Sequence, residues 1–263
     1  MALHIVTVAT EEKFYFPYLK DTCAKQGVNL TVLGFGEKWG GYAWKFKKVI
    51  DFLASIPPND IVCFVDGYDV ICVRNLGQLP SEFMRIKERE NCKIIIAEDG
   101  QVYGGVFNFI ADGYYGRCND QFINSGTYIG FASDVLEILK DARHKFPDET
   151  DDQKLITDYC SLKHDNFYID AKREIFFAIV TSFREVCIPE NTNPFFVHAA
   201  GCAFLTNILN ARGYHNVDPF IKIELTKYFI QKAIGHITTF IKRQFLKIIC
   251  IILMILLIIK LLY

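Results

Sequence analysis

The order in which two hydrophobic periods follow one another constrains this chain more than any single residue does. Short β-branched runs near 4–9, 29–33, 60–66 and 93–97 alternate with segments near 14–26, 45–55 and 80–90 whose apolar residues recur at helical spacing. Period two marks a strand and period 3.6 a helix, so the chain reads as strand, helix, strand, repeated. Parallel neighbours need a long crossover, which a helix supplies, and the expected class is therefore α/β with parallel βαβ units. Pro57-Pro58-Asn59 closes the second helix, because proline lacks a donor and biases the preceding residue away from helix. Asp60 then opens the run Ile61-Val62-Cys63-Phe64-Val65.

After Gly100 the pattern loosens into a Gly- and Tyr-rich loop through Gly116, followed by a strand-like run from Phe122 to Phe131. Helices are expected near 133–144, 151–162 and 203–211, short strands near 167–169 and 194–198, and an amphipathic segment near 219–241. That segment suits a membrane surface or a cap on the domain equally well.

Half of the 263 residues are apolar, enough for one large α/β core, and 29 basic side chains nearly cancel 30 acidic ones. Outside the C-terminal end no basic stripe could neutralise a row of phosphates, which excludes nucleic acid as the expected partner. The nine cysteines are scattered and never spaced C-x-x-C, a pattern that suits neither a disulfide framework nor a zinc site; they read as small buried residues in a reducing compartment. The N-terminal run Leu3-His4-Ile5-Val6-Thr7-Val8-Ala9 reads as a first strand, without the basic region and cleavage site of a secretory signal.

From Phe245 to Tyr263 the chain is apolar except for Lys247 and Lys260. As a helix this run spans roughly 28 Å, close to a bilayer core, and both lysines can snorkel to its borders. Lys242, Arg243 and Lys247 lie at its start, so the positive-inside rule keeps the body of the protein on the cytosolic side. The expectation is a C-terminal tail anchor at a membrane, with a terminal helix buried in the core or in an oligomer as the alternative. The expected divisions are a catalytic domain over 1–217, an amphipathic juxtamembrane segment over 218–244 and the transmembrane helix over 245–263.

The sharpest chemical signal is Asp66-Gly67-Tyr68-Asp69, at the end of the buried strand over 60–66. Ligands of open α/β sheets sit at the carboxyl ends of strands, and two carboxylates three apart can share a hard divalent cation that binds a diphosphate. The same residues also suit a plain turn. Phe195-Phe196-Val197-His198 is a second strand end, and an imidazole joining two carboxylates favours manganese over calcium or magnesium. Lys45, in the helix after Gly40-Gly41, could reach phosphate or be an ordinary solvated lysine. Asp151 and Asp152 open a helix, where acids suit the helix dipole and could equally meet a sugar. Glu98 and Asp99 end strand 93–97 on the same expected rim, and Asn124-Ser125-Gly126 shapes either a pocket or a turn.

Together these segments resemble the glycosyltransferase domain of the multifunctional procollagen lysyl hydroxylases and related collagen glycosyltransferases. The likeness covers about residues 4–215, through Val6–Glu12, Leu33–Gly41, Phe64–Ile71, Asn124–Ala132, Asp151-Asp152-Gln153 and Val197-His198. It implies a GT-A type, Rossmann-like fold with Mn2+ on Asp66, Asp69 and His198. It also implies a UDP-sugar donor bordered by Thr7, Val8, Thr10, Trp39, Lys45, Asp66, Gly67, Tyr68, Glu98, Asn124 and Gly201, with Asp151 and Asp152 serving the reacting sugar or the acceptor. The implied reaction moves glucose from UDP-glucose to galactosyl-hydroxylysine of collagen-like protein, with galactose transfer to hydroxylysine as the close alternative.

Three departures stand out. Where the family has a Gly-Asn-Gly-Pro-Thr-Lys run, this chain has Ala199-Ala200-Gly201-Cys202-Ala203-Phe204, without the lysine expected at phosphate. The acidic run is cut to Asp151 and Asp152, and Tyr103 is the nearest aromatic to the position of an expected loop tryptophan. The iron-dependent hydroxylase domain is absent from this sequence. Two other readings share the same acids: a metal-dependent phosphohydrolase or nucleotidyltransferase, and a membrane-tethered protein that binds a UDP-sugar without turnover.

Overall fold

A computed structural model describes residues 1–101 and 115–228 throughout, and beyond them 230, 231, 234, 235, 238, 245 and 249. Contacts divide the chain into Met1–Ile221 and Lys222–Tyr263. In the first unit β1 (Leu3–Val8), α1 (Phe16–Lys25), β2 (Leu30–Leu33), α2 (Tyr42–Leu53) and β3 (Ile61–Val65) follow in order, and β1 pairs in parallel with both β2 and β3. This is the βαβ pattern expected from the two periods. Gly41 starts α2 with φ +86°, a backbone open to glycine and strained for other residues.

Next come β4 (Val70–Cys72), α3 (Leu79–Glu90), β5 (Ile94–Gln101), β6 (Ile123–Phe131), α4 (Ala132–Lys145), α5 (Asp152–Leu162), β7 (Phe167–Asp170), β8 (Phe176–Glu185), β9 (Phe196–Phe204) and α6 (Thr206–Ala211). The sheet runs β2-β1-β3-β6-β5-β8-β9-β4, with β7 beside β5. It is mixed rather than wholly parallel: β6 runs against both β3 and β5, and β4 runs against β9. Strands β4 and β8 have no counterpart in the sequence reading, since the first is three residues long and the second shows no alternation of apolar and polar residues. Strand β9 also continues through Phe204, where a helix was expected from 203; the helix begins at Thr206.

Alternate residues of the central strands feed two cores. Val6, Phe64, Ile96 and Tyr128 face α2, α4 and α5 through Phe46, Val49, Val135, Ile138, Leu155 and Ile156. Ile5, Cys63, Val65, Ile95 and Ile129 face α1 and α3 through Leu19, Leu79, Phe83 and Ile86. A strand with helices on both faces must be apolar throughout, which is why Ile61–Val65 is a continuous hydrophobic run. Each buried Leu, Ile or Phe contributes about 1.5–3 kcal/mol, so these layers hold the site rigidly.

One cysteine expectation is corrected. Cys118 and Cys160 form a disulfide, with Cα atoms 5.5 Å apart. The bridge joins residues 42 positions apart, a proximity that spacing along the sequence does not reveal. Cys23, Cys63, Cys72 and Cys92 are free and buried, as small apolar residues should be, whereas the free Cys187 is exposed.

In the second unit, 222–228 is helical, and Ile223, Ile230, Ile234, Phe245 and Ile249 are exposed. Among the described residues no helix is long and apolar enough to cross a membrane. The expected anchor over 245–263, apart from Phe245 and Ile249, lies outside the described residues, as do much of the juxtamembrane segment and Tyr103.

Candidate functional site

Strand β3 delivers Asp66 to the sheet's carboxyl end, where its backbone N–H donates to the Gly126 carbonyl at 2.8 Å. Three residues on, the Asp69 carbonyl accepts from Ala199 N–H at 2.8 Å, and the antiparallel pairing of β4 with β9 sets Val70 opposite His198. Two acids from one turn thus meet an imidazole more than a hundred residues away. One ligand atom from each of Asp66, Asp69 and His198 lies within 4.8 Å of the others.

Hydrogen bonding places one hydrogen of the imidazole on Nδ1. Gly126 N–H donates to Asn124 Oδ1 at 2.9 Å, so that atom is an acceptor, and His198 Nδ1 stands 2.9 Å from it and must donate. Nε2 is then left facing Asp69 Oδ1 at 3.2 Å, where two acceptors need either a proton or a cation between them. Burial pushes the His198 pKa down, but the carboxylates of Asp69, Asp66 and Asp99 more than reverse this and leave it above the ordinary histidine value. Such an arrangement, with Asn124 orienting the ring from behind, is the usual support for a metal-binding histidine.

The space is also shaped for an ion. A Cβ on Gly126 would lie 2.4 Å from His198 Cε1 and 2.5 Å from Asp66 Oδ2, so a side chain there would fill the cradle. Two carboxylate oxygens and one imidazole nitrogen form a mixed oxygen and nitrogen donor set that could hold a divalent metal ion.

Lys45 is buried beside this cradle. Its Nζ donates to Asp66 Oδ1 at 2.6 Å and to Asp152 Oδ2 at 2.7 Å, and it lies 5.0 Å from the Phe64 ring centroid. Burial pulls the Lys45 pKa down, yet Asp152 and Asp66 outweigh it and hold the ammonium well above the ordinary lysine range. The lysine expected near phosphate therefore ties two acids from distant elements together. Asp152 and Asp151 are both buried, and Asp151 caps α5 by accepting from Lys154 N–H at 3.0 Å.

The remaining expected residues fall into groups. Thr7 and Val8 are buried at the end of β1; a Cβ on Gly67 would lie 3.1 Å from Thr7 Oγ1 and 3.2 Å from the Val8 carbonyl. The Tyr68 hydroxyl accepts from Thr10 N–H at 2.9 Å, and its ring meets Phe14 and Phe16 edge-on, so this tyrosine clamps the loop after β1 onto the acidic turn. Trp39 is 45% exposed and lies edge-on to Tyr42 and Trp44. Glu98 sits on β5 opposite Ile123, and Gly201 sits on β9 opposite Thr181 with φ +76°.

Gln153 had no assigned role in the sequence reading. Its Oε1 accepts from Ser125 N–H at 2.8 Å and its Nε2 donates to the Ile123 carbonyl, which fastens β6 to the start of α5. Its only signal was its place beside Asp152 in the shared Asp-Asp-Gln segment. A cavity of about 330 Å³ lined by Cys118, His164, Phe167 and Lys172 shares no residue with this site.

A family model described as the PLOD GT domain matches residues 1–221. The multifunctional procollagen lysine hydroxylase and glycosyltransferase LH3 of Homo sapiens is 29% identical over 171 residues, covering 59% of this chain and 21% of that protein. The multifunctional procollagen lysine hydroxylase and glycosyltransferase of Caenorhabditis elegans is 25% identical over 230 residues, covering 76% of this chain and 30% of its own length. The chain thus spans less than a third of either relative. A crystal structure of a glycosyltransferase involved in the glycosylation of the major capsid of PBCV-1 aligns with a TM-score of 0.49 at 16% identity, over 76% of this chain and 96% of that one.

Proposed function

The chain belongs to the family of the PLOD GT domain, and from that premise we propose that it is a manganese-dependent glycosyltransferase using UDP-glucose. The acceptor in this reading is galactosyl-hydroxylysine of a collagen-like protein. The observation that carries it is the meeting of Asp66, Asp69 and His198 within 4.8 Å, around a cradle that only glycine leaves open.

A divalent ion bound there supplies Lewis-acid stabilisation of the charge that builds on departing UDP. Asn124 keeps hydrogen on His198 Nδ1, which would leave Nε2, 3.2 Å from Asp69 Oδ1, as the nitrogen to hold the ion. Lys45 offsets the charge of Asp66 and Asp152 and holds α5 against the end of β3. Asp152 and Asp151 then stand at the first turn of α5, where carboxylates can orient sugar hydroxyls or stabilise positive charge at the reacting carbon. With no reorganisation needed at the moment of reaction, positioning supplies much of the rate.

The decisive measurement is UDP release by the full chain from UDP-glucose, UDP-galactose and UDP-xylose, with Mn2+ or EDTA, with and without a galactosyl-hydroxylysine peptide. Release from UDP-glucose that needs both Mn2+ and the peptide is expected, with Asp69→Ala inactive. Turnover by Asp69→Ala equal to the parent would remove the metal reading, and preference for UDP-galactose on hydroxylysine would select the galactosyltransferase alternative.

One observation favours a weaker catalyst. Residues 199–204 carry no cation and run on as strand β9 against β8, so the run that directly follows His198 offers no lysine to a phosphate. A protein that binds UDP-glucose without releasing UDP under any of these conditions would fit that second reading.

Membrane attachment through 245–263 belongs to the same proposal, supported by the length of the apolar run and its flanking lysines. The positive-inside rule favours a body facing the cytosol, whereas a Cys118–Cys160 bridge favours an oxidising compartment. Deleting 242–263 should move the protein from the membrane pellet to the supernatant. Protease protection of the body in sealed vesicles would overturn the cytosolic orientation.

A further inference from the structure

We propose that Asp99 is a positioning residue for the ion, facing His198 across Ala178 and strengthening the field that holds a divalent cation on Asp66, Asp69 and His198. The proposal rests on the reading of those three residues as a metal centre.

The argument begins with register. Strand β5 pairs Asp99 with Ala178 of β8, β8 pairs Ala178 with His198 of β9, and β9 pairs His198 with Val70 of β4. Residues in one such row project from the same face of the sheet, while their chain neighbours project from the other. Asp99 and His198 therefore share a face, and Glu98 lies on the opposite one. Two strand spacings separate them, about 10 Å between backbones, and the residue between carries only a methyl group. A carboxylate and an imidazole can lean toward each other over an alanine in a way that a leucine or phenylalanine would block.

The placement is held from both sides. Asp99 N–H donates to the Phe122 carbonyl at 2.8 Å, fixing the backbone against β6. On the other flank, a Cβ on Gly100 would lie 2.8 Å from the Ala178 carbonyl, so the glycine lets β5 approach β8 closely enough to set this register. A carboxylate that stabilises a positive charge on the ring also stabilises a cation bound to it, and outer groups of this kind commonly change metal affinity by about 10–100-fold.

The test is Mn2+ titration of the full chain by isothermal calorimetry, comparing the parent with Asp99→Asn, Asp99→Glu and Asp69→Ala, each checked by circular dichroism. Asp99→Asn should weaken Mn2+ about tenfold, and should raise the KM for Mn2+ by a larger factor than it lowers kcat; Asp99→Glu should recover most of the affinity. Unchanged Mn2+ affinity in Asp99→Asn while Asp69→Ala loses binding would overturn the role of Asp99 and leave the metal centre standing. Affinity that falls in Asp99→Asn and does not return in Asp99→Glu would also overturn it, since charge would then not be the cause. Binding that survives Asp69→Ala would bring down the metal centre and the role of Asp99 together.

Discussion

Replacing Gly126 by alanine isolates the shape of the cradle from its chemistry, because no ligand is removed and Gly126 has no positive φ that alanine would strain. The new Cβ would stand 2.4 Å from His198 Cε1, 2.5 Å from Asp66 Oδ2 and 3.0 Å from Asn124 Oδ1. Ordinary contact is about 3.5 Å, so the first two groups must each yield by about 1 Å. Neither is free to move cheaply: Asp66 is tied to Lys45 at 2.6 Å and His198 to Asn124 at 2.9 Å. Overpacking of this kind costs about 1–3 kcal/mol, and at about 2–4 °C per kcal/mol the melting point should fall by roughly 2–12 °C. Metal ligands tolerate errors of only about 0.2 Å, so Mn2+ affinity should fall at least ~10-fold while the domain remains folded. Thermal melting and Mn2+ calorimetry on the same samples measure both effects. A variant that binds Mn2+ as tightly as the parent would refute the reasoning, since the ion could not then occupy the space that the alanine methyl fills.

Lys45→Met should leave two acids without their shared cation and destabilise the protein by about 3–5 kcal/mol, read as a lower melting point; equal melting would show the bridge to be idle. Because the folded Lys45 pKa is raised, this stabilisation is complete below the unfolded value of about 10.4 and is lost only as pH climbs through the folded one, so the variant's deficit should be constant from pH 6 to 9. Glu174 is held down to about 2, chiefly by its hydrogen bonds with Arg89 and then Arg85 against the cost of burial. Its contribution, on the order of 2–3 kcal/mol, is present above the unfolded pKa of about 4.3 and disappears as pH falls through about 2; Glu174→Gln should flatten acid unfolding across that window, and an unchanged acid midpoint would dismiss it. Reducing the Cys118–Cys160 bridge frees a loop of about 42 residues and should cost about 4 kcal/mol in the loop-entropy model, so dithiothreitol should lower the melting point of the parent and leave that of Cys118→Ser unmoved.

How far the sequence foretold this site depends on the range over which each part was encoded. The acidic turn was legible because its signal is local: a fully apolar strand, Ile61–Val65, stops at Asp66, and the chemistry of strand ends does the rest. The helices were legible for a similar reason, since Phe46, Val49 and Leu53 repeat on one face of α2 whatever lies opposite. What could not be read was register. Whether Asp99 or Glu98 faces His198 depends on a pairing between β5 and β8, and β8 carried no alternation from which its face could be inferred. The bond from His198 to Asn124 spans 74 residues, and the one from Lys45 to Asp152 spans 107, so neither leaves a local pattern. Lys45 shows the consequence most sharply: as a residue type in a helix after two glycines it suited phosphate, yet the cation's neighbours are Asp66 and Asp152. A side chain's type restricts what it can bind, but its partners are set by strand pairings that a one-residue slip would reverse, and for that reason the candidate cluster of Asp66, Asp69 and His198 could be named from the sequence while the contacts that hold it in place could not.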